Sequence, residues 1–308
     1  MNYELKIEHA IEENGTIDLQ RLVTIATGIR NIAEGALQMR LRGVSLTKGR
    51  KKVSLSEALR VSLTGIKDGS TILQLNAEQF SKTLEPWQTD IFRQEAQQNL
   101  PDHTPVSLFI EAFRDATLEN GNQDLLDKSL LKELKQFKKA FQSDNEVFVI
   151  SNEGTIPALE LKKPDFKKIQ ELDEEIPDSE PILINGIVEE LKYSKLKVKI
   201  KTSEGIVDGF LSDDLTSDDI AQYWGKEVTI GGTAHFKGGG RSVIEISRIF
   251  EASEGDQYFS RKPKAETVEQ QINRQLKEKG FKNTLADIVG KWPGEETDEE
   301  FEELLKNL

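Results

Sequence analysis

Residues 180–251 carry the pattern that most restricts how this chain can fold. Five short strand-like runs follow one another, at 182–188, 195–201, 206–211, 228–236 and 242–250, and the second alternates strictly between lysine and apolar side chains. A period of two is typical of strands that bury one face. A short helix is expected at 216–224, between the third and the fourth run. The segment therefore predicts a small five-stranded β-barrel.

The order strand-strand-strand-helix-strand-strand resembles that of an OB-fold, although other small barrels accommodate five strands as well. The segment also resembles a barrel module of long, uncharacterised bacterial proteins, and that likeness implies no function. In an OB-fold, the loop between the last two strands often lines the ligand face. Here that loop carries three glycines between Lys237 and Arg241, and a flexible hairpin is the simpler interpretation.

One strand of the predicted barrel carries a stripe of lysines. Strand periodicity places Lys195, Lys197, Lys199 and Lys201 on one face, and Leu196, Val198 and Ile200 on the other. Four positive charges on one face attract phosphate, at some cost in mutual repulsion. Two interpretations stay open, a nucleic-acid contact and the solvated face of an exposed strand.

The remaining segments predict an α+β fold class. Residues 1–150 form a mixed α+β domain, residues 151–179 are proline-interrupted and acidic and are expected to be a linker, and residues 180–251 are the OB-like barrel. Residues 252–308 are too polar for a core of their own and predict a helical, acidic C-terminal arm.

Composition narrows the functional classes. The net charge of −13 argues against a chain that coats nucleic acid or anionic membrane with its whole surface. The chain has no cysteine, and none of its three histidines has an acidic partner or a nucleophile at a meaningful spacing. We therefore expect a non-enzymatic, cytoplasmic protein that uses no metal or cofactor and does not associate with a membrane. An enzyme whose site is not recognisable from one chain is a further alternative.

A second basic segment lies at 40–52, after the first predicted helix. It contains six basic residues and no acidic one: Arg40, Arg42, Lys48, Arg50, Lys51 and Lys52. Such a cluster is typical of a contact with nucleic acid or an acidic partner, and equally of a long solvated loop.

The C-terminal arm is the most distinctive stretch. A glycine, a tryptophan and a proline at 290–293 precede a run of acidic residues and the capping box of a last short helix. This pattern resembles the tails of small bacterial antitoxins of toxin–antitoxin systems, which lie across a ribonuclease toxin. The resemblance implies that Trp292, Phe301 and Leu305 anchor the arm and that Glu295, Glu296 and Asp298 face the toxin's catalytic site. Leu304 completes the apolar face.

Two functional hypotheses follow. The first is an antitoxin-like protein that occludes the basic site of a partner, a ribonuclease toxin from a neighbouring gene, with its acidic arm. The second is a single-stranded nucleic-acid-binding protein that uses the barrel and the 40–52 segment. Nucleic-acid affinity would fall steeply with salt, and an arm anchored by aromatic residues would lose less.

Truncation after Gly290 tests the first hypothesis. If the arm binds a partner, the truncated protein should melt like the parent but fail to co-purify the product of the neighbouring gene. Trp292→Ala should reproduce most of the loss, since removal of a central aromatic anchor typically costs about 2 kcal/mol or more. An unchanged pull-down by the truncated protein would end the hypothesis.

Overall fold

The computed structural model describes residues 1–12, 16–45, 53–67, 71–84, 100–152, 158–192, 197–212 and 214–277. The chain divides into two compact units, Met1–Thr267 and Val268–Leu308. The described part of the second unit is one helix, α8 (Val268–Lys277). The first unit contains an α+β body and a closed barrel, so the predicted fold class is confirmed.

The α+β body is built on a five-stranded antiparallel sheet. Its strands are β1 (Asn2–Glu8), β2 (Val61–Lys67), β3 (Thr71–Ala77), β4 (Val147–Asn152) and β5 (Leu159–Lys162), in the order β2-β3-β1-β4-β5. Tyr3, Leu5 and Ile7 alternate along the central strand β1 and are fully buried. The period of two therefore places one face of the sheet against the helices.

The helices of the body are α1 (Leu19–Arg42), α2 (Val53–Ala58), α3 (Phe80–Thr83), α4 (Pro105–Thr117), α5 (Lys128–Gln136) and α6 (Asp165–Glu175). Asp18 caps α1, since its side chain accepts a hydrogen bond from the backbone N–H of Arg21 at 3.0 Å. Gly43, with a φ of 89°, ends α1 in the left-handed conformation that glycine adopts without strain.

Residues 151–179, expected to be a linker, contribute to the body. β5 pairs with β4 along the edge of the sheet. Phe166, Ile169 and Leu172 of α6 lie in the same apolar core as the other helices. Most of the acidic side chains that suggested a linker lie within this strand and helix, whose apolar residues have the spacing of buried elements.

The barrel consists of β6 (Glu180–Lys192), β7 (Lys197–Thr202), β8 (Gly205–Leu211), β9 (Glu227–Phe236) and β10 (Ser242–Glu251), with α7 (Ser217–Ala221) before β9. It closes in the order β10-β8-β7-β6-β9, and β8 and β10 pair in parallel. Val198 and Ile200 are buried, and the intervening lysines of β7 face outward, as the alternation predicts. Lys195 and Leu196 lie outside the described residues.

The barrel packs directly on the α+β body. Ala234 and Phe236 of β9 belong to the core cluster of the body rather than to that of the barrel. A small second contact joins Val44, just after α1, to Phe210 and Val243 on the outside of the barrel. These contacts position the end of α1 beside the lysine-bearing face of β7.

Gly28→Ala tests the packing of α1. Alanine normally stabilises a helix interior by about 1 kcal/mol relative to glycine. Here a Cβ would lie 2.5 Å from Cδ2 of Phe137, whose ring packs edge-on against those of Phe109, Phe113 and Phe148. We expect a net loss of about 1–2 kcal/mol in the free energy of unfolding, measured by urea denaturation.

The same substitution in a Phe137→Leu background provides the control. The smaller side chain leaves room for the Cβ, so the penalty of Gly28→Ala should shrink or reverse there. An equal loss in both backgrounds would show that the Phe137 ring is not what excludes a side chain at position 28.

Candidate functional site: a basic groove beside the barrel

A cavity of about 500 Å³ lies where the end of α1 meets the outer face of the barrel. Its walls come from the last turn of α1, the segment before α5, strands β6, β7 and β8, and the hairpin between β9 and β10. A volume of this size falls within the range of small-molecule and cofactor sites. We call this cavity the basic groove, for the side chains that line it.

Seven basic and three acidic side chains line the groove, in a chain whose net charge is −13. The acidic ones are Asp124, Glu190 and Asp208. The basic ones come from four separate segments: Arg40, Arg42, Lys192, Lys197, Lys199, Lys237 and Arg241. A concave surface with this excess of positive charge attracts anions more strongly than the protein as a whole does.

The glycine hairpin 237–241 reaches the groove because it rests on the α+β body. The backbone N–H of Gly238 donates to the carbonyl of Leu126 at 3.1 Å. A Cβ at Gly239 would collide with the carboxylate of Asp124, which would have to move aside. The hairpin therefore packs closely against the α+β body, and this contact places Lys237 and Arg241 at the groove.

Lys237 is the most unusual cation of the groove. Burial lowers its pKa, and the negative charges of Asp124, Asp127 and Asp208 oppose this shift without cancelling it. Within the described part of the chain, its Nζ forms neither a hydrogen bond nor an ion pair. A desolvated lysine without a direct partner gains from any anion that enters the groove.

Three of the other cations are already paired with carboxylates of the groove. Lys199 lies 2.7 Å from Oε2 of Glu190, and Lys192 lies 3.5 Å from its Oε1. Arg241 lies 3.2 Å from Asp124. The hydrogen bond from Lys199 lowers the pKa of Glu190 and raises that of Lys199, so both remain charged at neutral pH.

Arg40 has a structural role, which corrects its assignment to an exposed basic loop. α1 continues through Arg42, so Arg40 follows Ala36 by one helical turn and lies on the buried face of the helix. Its Nη1 donates to the carbonyl of Ala36 at 3.1 Å, and its Nη2 lies 2.8 Å from Oε2 of Glu111. His103 contacts the other oxygen of Glu111 at 2.6 Å. The guanidinium of Arg40 is therefore engaged within the fold.

The remaining predicted nucleic-acid residues separate into three groups. Arg42, Lys197 and Lys199 line the groove, so the structure brings two distant basic segments together. Lys201 is exposed on the barrel and does not line the groove. Lys48, Arg50, Lys51, Lys52 and Lys195 lie outside the described residues.

The predicted partner-binding arm also lies outside the described residues. This applies to each residue proposed for it: Trp292, Glu295, Glu296, Asp298, Phe301, Leu304 and Leu305.

Sequence reasoning did not select Lys192, Lys237 and Arg241 as site residues. Lys237 and Arg241 flank a glycine hairpin, and this signal favoured a flexible turn over a ligand contact. Their role depends on the contact between the hairpin and the segment before α5, which no local pattern reveals.

Other site types find no support among the residues that the structure describes. The described residues include no cluster of three or more potential metal ligands. None of their helices combines the length and apolar character that a membrane span requires. Comparison with known proteins finds no matching family model, no matching curated protein and no matching solved structure.

Arg40→Gln and Arg42→Gln separate the structural from the binding role at the end of α1. We expect Arg40→Gln to lower the free energy of unfolding by about 2 kcal/mol, because it leaves Glu111 without its buried partner. The loss is smaller than for a fully buried pair, since the Glu111 side chain is 31% exposed. Arg42→Gln should have a much smaller effect in the same urea titration.

The pH dependence of the difference in the free energy of unfolding between wild type and Arg40→Gln provides a second readout. Burial alone would raise the pKa of Glu111, but the hydrogen bond from His103 and the charge of Arg40 outweigh burial and lower it. A carboxylate with a lowered folded-state pKa stabilises the fold at neutral pH and loses that contribution as the pH falls through the folded-state pKa. The gap between wild type and Arg40→Gln should therefore narrow in acid. A pH-independent gap would contradict the ion-pair explanation.

Proposed function

We propose that this protein is a non-enzymatic single-stranded nucleic-acid-binding protein that holds the phosphate backbone in the basic groove. One observation carries the proposal. Cations that are far apart in the sequence, among them Arg42, Lys197, Lys199 and Lys237, converge on one cavity of ligand size. Phosphate contacts by lysine and arginine supply most of the affinity of sequence-independent nucleic-acid binding.

The connectivity of the barrel supports this choice of ligand. The pairing of its first, second, third, fifth and fourth strands in a closed circle, with the third parallel to the fifth, resembles the arrangement of an OB-fold. OB-folds bind oligonucleotides on the face of their second and third strands and on the loops between strands one and two and between strands four and five. Here β7, β8 and the hairpin 237–241 are the corresponding elements, and all three line the groove.

The side chains that line the groove indicate how it would recognise a nucleic-acid strand. Among the described residues of the groove there is no aromatic side chain on which a base could stack. Sequence-tolerant binders usually combine a cationic track with stacking platforms. We therefore expect binding through phosphates, with weak sequence preference and a strong dependence on salt.

The antitoxin-like activity of the acidic arm is a separate proposal, supported by the sequence pattern at 288–308 alone. The truncation after Gly290 tests it independently of the groove. A groove that binds nucleic acid and an arm that binds a protein are compatible in one chain.

Lys237→Gln tests the proposed groove. We expect it to weaken binding of a fluorescein-labelled oligo-deoxythymidine by about tenfold at low salt, since a charge-assisted hydrogen bond is worth about 1.5 kcal/mol. The slope of log affinity against log salt should fall by about 0.7, because one phosphate contact is lost. Fluorescence anisotropy over a series of potassium chloride concentrations measures both.

Lys201→Gln is the matched control. It removes one positive charge from the exposed face of β7, outside the groove lining, and should change the affinity less than twofold. Equal losses in the two variants would point to binding by diffuse surface charge. The absence of binding by the wild-type protein at low salt would refute the proposed function.

A further inference from the structure

Strand β6 contains an irregularity beside the groove. Ile187 pairs with Lys201 and Val188 with Ile200, and the register then shifts, so that Glu190 pairs with Lys199. Glu189 is thus one residue more than the partner strand requires, which defines a β-bulge. Before the bulge, even-numbered residues such as Val188 are buried in the barrel.

The bulge changes which side chain enters the groove. Without it, continued alternation would place Glu190 on the same side as Val188, toward the barrel core. With it, Glu190 lies on the outer face opposite Lys199, and Leu191 packs against the core of the barrel instead. Bulges commonly serve to re-aim a side chain at a functional site.

The carboxylate of Glu190 forms ion pairs with two lysines of the groove, Lys199 and Lys192. One oxygen of Glu190 lies 2.7 Å from Nζ of Lys199, and the other lies 3.5 Å from Nζ of Lys192. Two carboxylate oxygens between two ammonium groups take the place that the oxygens of a phosphate would take. A ligand that contacts these lysines must first displace Glu190.

We propose that Glu190 is the specificity-determining residue of the groove, an internal competitor that excludes single small anions and admits chains of phosphates. This inference rests on the proposed function of the groove. A lone phosphate ion that displaces Glu190 exchanges one anion for another at the same two lysines and gains little. A phosphate chain makes the same exchange and also reaches Lys237, which lines the same groove, so that its net gain is larger.

The competition operates throughout the neutral range. The hydrogen bond from Lys199 holds the pKa of Glu190 below its ordinary value, so the carboxylate stays ionised and keeps its place until the solution is acidic. Selectivity at neutral pH then depends on the number of phosphates in the ligand and not on small changes of pH.

Glu190→Gln tests the inference, and Glu189→Gln is the matched control. Both remove one negative charge from adjacent positions of the bulge, but only Glu190 lines the groove. We expect Glu190→Gln to bind labelled oligo-deoxythymidine about fivefold more tightly than wild type, with a salt slope steeper by about 0.7 for each lysine released. Glu189→Gln should stay within twofold of wild type.

Inorganic phosphate as competitor supplies the second readout. Its inhibition constant, corrected for the oligonucleotide affinity of each variant, should be about fivefold lower for Glu190→Gln than for wild type, because the freed lysines now accept a single anion. Equal inhibition constants for phosphate, or an oligonucleotide affinity of Glu190→Gln at or below that of Glu189→Gln, would overturn the role of Glu190 and leave the groove itself intact. If wild type and both variants fail to bind, the proposed function fails and the inference falls with it. Binding by Glu190→Gln alone would contradict the inference, because the wild-type groove would then exclude phosphate chains as well as single anions.

Discussion

The site depends on one interaction, the packing of the barrel against the α+β body. The side chains of Ala234 and Phe236 belong to a barrel strand but are buried in the core of the α+β body. Phe210 and Val243 pack against Val44, just after α1. Burial of these side chains holds together two surfaces whose residues are far apart in the sequence. The groove is the space left open beside this contact, so its shape and charge exist only while the two parts stay docked.

Polar contacts make that docking directional. Asp127 caps α5 by accepting from the backbone N–H of Leu130 at 2.9 Å, and it also accepts from the backbone N–H of Ser45 at 2.8 Å. It thereby ties the segment after α1 to the start of α5, beside the glycine hairpin. A carboxylate with several donors is a strong fixed point, because each lost hydrogen bond would leave a buried charge less well solvated. Apolar burial holds the two parts together, and the backbone hydrogen bond from Gly238 to the carbonyl of Leu126, next to Asp127, fixes the barrel hairpin on the body.

Much of the fold follows from local patterns, and most of the site does not. The alternation of Val198 and Ile200 with lysines predicts both the strand and its orientation, because a period of two has one solution when one face is buried. Arg40 shows the limit of such reasoning. Its charge suggested a loop, whereas its helical spacing from Ala36 and the presence of Glu111 make a buried ion pair available. Long-range partners of this kind, like the support of the hairpin by Leu126, are absent from any local window of sequence.

The environment of Lys237 shows how such a groove can keep a charge available. An ammonium group in a partly desolvated site normally loses its proton or recruits a carboxylate. Asp124 and Asp127 lie close enough to stabilise the charge, but Asp124 is paired with Arg241 and Asp127 is held by backbone donors. Each carboxylate therefore stabilises the charge of Lys237 electrostatically without forming an ion pair with it. The fold gives up the stability that a direct ion pair would add. Under the proposed function, the lysine would then meet an incoming phosphate without first having to break a contact of its own. Under the same proposal, Glu190 imposes the opposite condition elsewhere in the groove, where Lys192 and Lys199 are released only to a ligand that makes enough contacts with other groups. A groove with these two features would favour long anions, because Lys237 binds an anion readily and the paired lysines require a larger gain.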